Sequence, residues 1–370
     1  MIAFCVAVLA TGFTGSAQQP NAVVEYERGD DFGESKDVVA LARQGDAGAQ
    51  LALGLMFENG EDVQQNSAEA VKWYRLAAEQ GEAEAQLRLG MTYVDESLPE
   101  NLAEAAKWFR RAAEQGHVDA QSFLGTMYAN GQGVPANNAE AVKWWRLAAE
   151  QGDVKSQFRL GMTYAVEGLP ENFAEAAKWF RLAAAQGDAE AQSFLGTMYA
   201  KGEGLPKNFA EAAKWFRLAA AQGDAEAQLN LGTMYANGQG VPVNNAEAVK
   251  WWRLAAEQGD VKSQFILGSM YHNGKGVPEN YAESVKWYRL AAEQGYGKAQ
   301  YNLGLMYLNG EGVPVDFIKA YAWTSIAASH TSGIADEFEL RLVELMTKEQ
   351  IAAAQSLSSK CYESNYHDCD

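Results

Sequence analysis

The chain has 370 residues, of which 48% are hydrophobic, too many for a wholly disordered polymer. Proline is scarce, at 8 residues, and alanine is abundant, which favours helix. Acidic residues outnumber basic ones 48 to 30, for a net charge of −18, so the chain repels phosphate backbones and anionic lipid surfaces, and nucleic-acid binding is not expected.

The first element is an apolar run, Ile2 to Phe13, with Gly15-Ser16-Ala17 and Gln18 behind it. The run is too short to span a bilayer comfortably, and the small residues suit signal-peptidase cleavage, although no Lys or Arg precedes it. Residues 1–17 are therefore expected to be a signal peptide, and the mature chain to be periplasmic or secreted without a transmembrane span. Residues 18–44 are expected to be a lead-in with a capping helix.

From residue 45 one phrase recurs. It opens with Gly and passes through Ala-Gln, Leu-Gly, Met-Tyr, Gly-x-Gly-Val-Pro, Asn, Ala-Glu-Ala, Lys-Trp and Arg-Leu-Ala-Ala to Gln-Gly. The opening glycines are Gly45, Gly81, Gly116, Gly152, Gly187, Gly223, Gly259 and Gly295, spaced by 36 or 35 residues. A fixed period in this range is the signature of a solenoid. Residues 45–333 are thus expected to form eight units in one continuous array, an all-α solenoid of antiparallel helix pairs.

Each unit predicts two helices, here called A and B. The fifth shows the logic. Asp188 caps helix A, which carries Ala191, Leu195 and Met198 with Tyr199 on one face and stops at Gly202, and Pro206 discourages continuation. Asn208 and Glu211 then form a capping-box pattern at the start of helix B, with two reciprocal bonds expected. The pattern recurs as Asn66/Glu69, Asn101/Glu104, Asn137/Glu140, Asn172/Glu175, Asn244/Glu247 and Asn280/Glu283, and breaks in the eighth unit, where Asp316 precedes Lys319. Units 2 and 4 lose one loop residue and the first loop glycine, at Val94–Pro99 and Ala165–Pro170, so their turns are expected to differ.

Helix B of the fifth unit presents Ala212, Trp215, Phe216 and Ala219. One tryptophan per unit is expected to fill the space between the helices: Trp73, Trp108, Trp144, Trp179, Trp215, Trp251, Trp287 and Trp323. Core packing explains such a row more simply than a ligand-stacking ladder. Trp145 and Trp252 stand beside core tryptophans and are expected to be partly exposed. The stretch Asn137 to Phe158 recurs verbatim as Asn244 to Phe265, which points to duplication of a three-unit block.

The rest of the chain offers little chemistry. The histidines, His117, His272, His330 and His367, have no metal-ligand spacing, and no nucleophile elbow or Ser-x-x-Lys set occurs. No cofactor or metal is expected. Residues 334–370 read as capping helices and a tail in which Cys361 and Cys369, close together in an exported chain, are expected to form a disulfide.

The multi-copy pattern resembles the Sel-one-like repeat (SLR) family, relatives of the tetratricopeptide repeat, over roughly residues 37 to 333. Tyr26-Glu27-Arg28-Gly29-Asp30 is similar to the lead-in of bacterial members, and Ala322-Trp323, Met346-Thr347 and Glu349-Gln350 are similar to their C-terminal cap. The resemblance implies a right-handed superhelix and a protein- or peptide-binding adaptor, often in the bacterial envelope. Some cysteine-rich SLR proteins are described as penicillin-binding or β-lactamase-like, but those carry a disulfide within each repeat, which this chain lacks. A non-enzymatic envelope scaffold is the leading expectation, beside a cell-wall-related enzyme or regulator and a purely structural spacer.

The family also implies that the A helices line the concave face. Positions there that differ between units are the candidate binding stripe: Leu87 and Met91, Ser122 and Thr126, Phe158 and Met162, Ser193 and Thr197, Leu229 and Thr233, Phe265 and Ser269, Tyr301 and Leu305. Phe158, Phe265 and Tyr301 would be rigid anchors if exposed. The flanking charge differs between units: it is acidic at Glu84, Asp119, Glu190 and Glu226 and basic at Lys155, Lys262 and Lys298.

Overall fold

A computed structural model describes residues 33–95, 99–167, 170–330, 341–367 and 369. The expected signal segment and the lead-in up to residue 32 lie outside the described residues. Helix is the only regular structure among them. The chain divides between Glu82 and Ala83 into two compact units. The first holds the lead-in helix α1 (Gly33–Arg43) and the first repeat, α2 (Ala47–Asn59) and α3 (Ser67–Glu79).

The second holds the other seven repeats. They are α4 (Ala83–Asp95) with α5 (Pro99–Glu114), α6 (Val118–Asn130) with α7 (Asn138–Glu150), and α8 (Val154–Glu167) with α9 (Pro170–Ala185). Next come α10 (Ala189–Lys201) with α11 (Phe209–Ala221), and α12 (Ala225–Asn237) with α13 (Asn245–Glu257). Finally α14 (Val261–Asn273) pairs with α15 (Tyr281–Glu293), and α16 (Gly297–Asn309) with α17 (Phe317–His330). Residues 341–345 belong to α18, and α19 (Lys348–Glu363) closes the chain. Each A helix packs on its own B helix, and within the second unit each B helix packs on the next A helix, as in an α-solenoid.

Local chemistry sets the helix ends. Asp188 accepts from the Ala191 amide at 2.7 Å, and Gly202 ends α10 in the left-handed conformation at φ 81°. Two residues on, Gly204 lies so close to the Phe173 carbonyl, in the first turn of the preceding B helix, that no Cβ fits there.

The capping box is only half formed. Asn66, Asn137, Asn208, Asn244 and Asn280 each accept from the amide of the Glu three residues on. The return bond from Glu is not needed at Asn208, because its own N–H donates to the Tyr199 carbonyl at 2.9 Å. The glutamates turn outward to lysines instead, as Glu247 does to Lys250 at 2.7 Å. Asp316 caps α17 despite its broken pattern, accepting from Ile318 and Lys319 at 3.0 Å. Units 2 and 4 differ: α5 and α9 run from Pro99 and Pro170, so Asn101 and Asn172 lie inside the helices rather than at the position before them. Proline suits a first helical position, where its missing N–H costs nothing.

The space between the two helices of a unit is filled by the residue after the expected tryptophan. Each A helix offers a glycine there, and an added Cβ on Gly232 would stand 2.7 Å from Trp252 Cδ1, one on Gly196 2.8 Å from Phe216. Trp145 and Trp252 are therefore core, at 7% and 4% exposure, which corrects the expectation that they are partly exposed. Trp252 also donates to the Leu229 carbonyl at 3.2 Å. Trp215 and Trp251 are the half-buried members of their pairs and lie against clusters formed with the preceding B helix.

A buried glutamine joins successive repeats. Gln192 donates to the Ala184 carbonyl at the end of the preceding B helix, at 3.1 Å, and accepts from Gln222 at the end of its own, at 2.9 Å. The same pair of bonds recurs at Gln121, Gln157, Gln228 and Gln264. In the last repeat Gln300 donates to Ala292, but its Oε1 is buried without a partner. At the C-terminus Cys361 and Cys369 are disulfide-bonded.

Candidate functional site

Successive A helices touch through side chains. Phe158 on α8 lies 5.9 Å from Phe194 on α10, ring centre to ring centre, and 5.8 Å from Phe180 on its own B helix. Phe265 on α14 meets Tyr288 at 5.7 Å and Tyr296, which opens the next repeat, at 5.2 Å. Both phenylalanines therefore pack on the adjacent repeat, yet both remain half-buried rather than enclosed.

The stripe expected from spacing is mixed. Leu87, Ser122 and Ser193 are buried. Ser122 donates to Asp153 at 3.0 Å and Ser193 to Asp224 at 3.1 Å, so these hydroxyls hold the N-cap of the next A helix. Ser156 donates to Ser122 at 3.0 Å, and Arg159 reaches the same oxygen at 3.4 Å. Thr126 and Thr233 turn their hydroxyls to the backbone of their own helices. Met91 is well exposed, while Phe158, Met162, Thr197, Leu229, Phe265, Ser269, Tyr301 and Leu305 are half-buried.

A neighbouring row, not singled out from the sequence, shares this face: Arg88, Phe123, Arg159, Phe194, Asn230, Ile266 and Asn302. Phe123 stacks on Phe109 and Phe194 on Phe180, each a residue of the preceding B helix. The available signal was variation between units four residues past the charged position.

The two sides of the array treat charge differently. On the B helices every repeat from the first to the seventh pairs its lysine with the glutamate three residues earlier. On the A helices Lys155, Glu190, Glu226, Lys262 and Lys298 are exposed and form no ion pair among the described residues. Partial burial, with Asp188 and Asp224 nearby, holds the Glu190 carboxyl above its ordinary range. Glu84 is the compensated exception. Partial burial works to raise its carboxyl, but Arg88 at 2.7 Å and His117 at 2.9 Å outweigh it and hold it below the usual range.

Two shallow clefts lie between repeats on the B side. One is lined by Arg110, Tyr128 and Trp144, the other by Arg146, Tyr164 and Trp179. In each the Arg donates to the Tyr hydroxyl, which ties one repeat to the next. Among the described residues no three His, Cys, Asp or Glu side chains gather to hold a metal, and no helix is long and apolar enough to cross a membrane.

Comparison with known proteins agrees with this geometry. The Sel1 repeat model matches eight consecutive stretches: 47–82, 83–117, 118–153, 154–188, 189–224, 225–260, 261–296 and 297–332. A Sel1 repeat protein from Oxalobacter formigenes is 34% identical over 83% of this chain and 89% of its own, with a TM-score of 0.63. A protective antigen present in uropathogenic Escherichia coli strains, which displays an SLR fold, is 27% identical over 90% of this chain and 96% of its own, with a TM-score of 0.56. No curated protein matches the chain in sequence.

Proposed function

The chain belongs to the Sel1 repeat family, whose members generally mediate protein–protein interaction, and from that premise we propose a non-enzymatic scaffold of the bacterial cell envelope that holds a protein or peptide segment along its A helices. The carrying observation is the contrast between the two sides. The B helices neutralise their own lysines, whereas the A helices leave single charges exposed beside half-buried Phe158 and Phe265. Unpaired charge next to aromatic surface is what a partner recognises: the rings supply affinity and the charges select orientation.

Three observations support placement outside the cytoplasm. They are the apolar run at Ile2 to Phe13, the Cys361–Cys369 disulfide, which suits an oxidising compartment, and the antigen character of the E. coli relative. Cell fractionation and mass spectrometry of the mature N-terminus test it, with Gln18 expected as the first residue.

Binding is tested by affinity capture from envelope extract with the parent chain and with Phe158→Ala and Phe265→Ala. Loss of a captured protein with an unchanged thermal melt is the expected result. Retention of that partner by both variants refutes the A-helix face as the site.

A further inference from the structure

The verbatim duplication places two docking points of the same local sequence on the A-helix face, three repeats apart. Asp153-Val154-Lys155-Ser156 with Phe158 opens unit 4, and Asp260-Val261-Lys262-Ser263 with Phe265 opens unit 7. Between them units 5 and 6 carry glutamate where the flanking units carry lysine. Reading along the array, the exposed positions are Lys155, Glu190, Glu226 and Lys262. All four lack an ion-pair partner among the described residues. The N-cap aspartates Asp153, Asp188, Asp224 and Asp260 are common to the four units and do not distinguish them. At this position the order is plus, minus, minus, plus, with an aromatic ring three residues past each plus; in the neighbouring row Arg159 adds a second positive charge in unit 4, where units 5, 6 and 7 carry Phe194, Asn230 and Ile266.

We infer that this face takes an extended polypeptide segment of the complementary order: an acidic residue with an apolar neighbour, two basic residues, then a second acidic residue with an apolar neighbour. The inference rests on the reading of the A-helix face as the binding surface, and it adds the chemistry of the partner. Packed helices stand about 8–10 Å apart, so units 4 to 7 span about 30 Å, and about three extended residues bridge each step. A segment of about twelve residues therefore reaches all four positions. The order is palindromic at these four positions, and Arg159 beside Phe158, where unit 7 carries Ile266, makes the unit 4 end the more positive one. The two basic residues would also relieve the mutual repulsion among Asp188, Glu190 and Asp224.

Two synthetic twelve-residue peptides of identical composition test this on the full chain by fluorescence anisotropy. One has Leu-Glu at its start, Glu-Leu at its end and two lysines between, each charge three residues from the next, with Ser and Gly spacers. The other exchanges its Glu and Lys. The first should bind at least 10-fold more tightly at low salt, with the difference shrinking at high salt. The combined variant Lys155→Glu, Glu190→Lys, Glu226→Lys, Lys262→Glu should reverse the preference, its fold being checked by circular dichroism. Equal binding of the two peptides, or binding of neither, overturns the inference. If both bind equally and both are lost on Phe158→Ala with Phe265→Ala, the face stands as a binding surface and only the charge order falls. If binding ignores those rings as well, both readings fall.

Discussion

Ser156 and Ser263 occupy the same place in the duplicated block, and both are fully buried. Their surroundings differ at the preceding A helix. Ser156 donates to Ser122 on the preceding A helix at 3.0 Å, whereas the residue equivalent to Ser122 in the second copy is Leu229, and the Ser263 hydroxyl has no partner. A buried hydroxyl without a hydrogen bond costs about 1–3 kcal/mol, and a made bond of this kind contributes about 1 kcal/mol. Ser263→Ala should therefore stabilise the protein by about 1 kcal/mol, and Ser156→Ala should destabilise it by a similar amount. The assay is equilibrium urea unfolding followed by circular dichroism. It is paired with hydrogen exchange on the amides of α8 and α14, since a repeat array can open locally. Leu229→Ser supplies the missing partner, and in that background Ser263→Ala should change from stabilising to costly. If Ser263→Ala destabilises as much as Ser156→Ala, or if its sign does not change with Leu229→Ser, the hydroxyl is not an orphan and the reasoning fails.

Trp252→Ala should cost about 3–5 kcal/mol, the usual range for an enclosed aromatic, and Trp251→Ala less, as judged by the same urea midpoints. The Glu84 carboxyl is held low in the folded state, so its contribution is present above the unfolded carboxylate value, about 4.3, and is lost as pH falls through the folded value. Glu84→Gln should thus destabilise at pH 7, and its effect should fade as the pH is lowered through the folded value. Glu190 has the opposite sign: its raised value means that ionisation opposes folding, a cost that grows as pH rises through the unfolded and then the folded value. Glu190→Gln should therefore raise the urea midpoint at pH 7 and leave it unchanged in acid. Reducing Cys361–Cys369 should increase hydrogen exchange in α19 alone, because the loop it closes is short; loosening that reaches α10 would contradict a local role.

The repeat period made the helix pairs legible almost to the residue, because cap and stop residues recur at each end, as Asp188 and Gly202 do around α10. The period could not say which of two adjacent aromatics fills the space between the helices. Trp251 and Trp252 both flank the apolar stripe of α13, and the choice is made by Gly232 on the opposing helix, which admits only one ring. The second capping-box bond was likewise hidden, because the competing acceptor, the Tyr199 carbonyl, comes from the helix before. The binding stripe was legible as one face of a helix but not as a surface. Spacing grouped Ser122 with Phe158, while Asp153 of the next repeat removes Ser122 from that surface.

The glutamine bonds have a consequence for length. From Gln121 to Gln264 each junction glutamine makes the same two bonds, donating to a carbonyl at the end of the preceding B helix and accepting from the glutamine amide N–H at the end of its own. Junctions are therefore chemically interchangeable. Excising residues 187–222 would bring Gln228 opposite Ala184 in place of Ala220, with every lateral bond of the spine intact. The array is in this sense a countable ruler. Its unit is fixed by the buried amides, its length is free to change by whole steps, and the marks are the variable side chains of the A helices. Removing one step would leave the protein folded while moving Lys155 and Lys262 one helix spacing closer together.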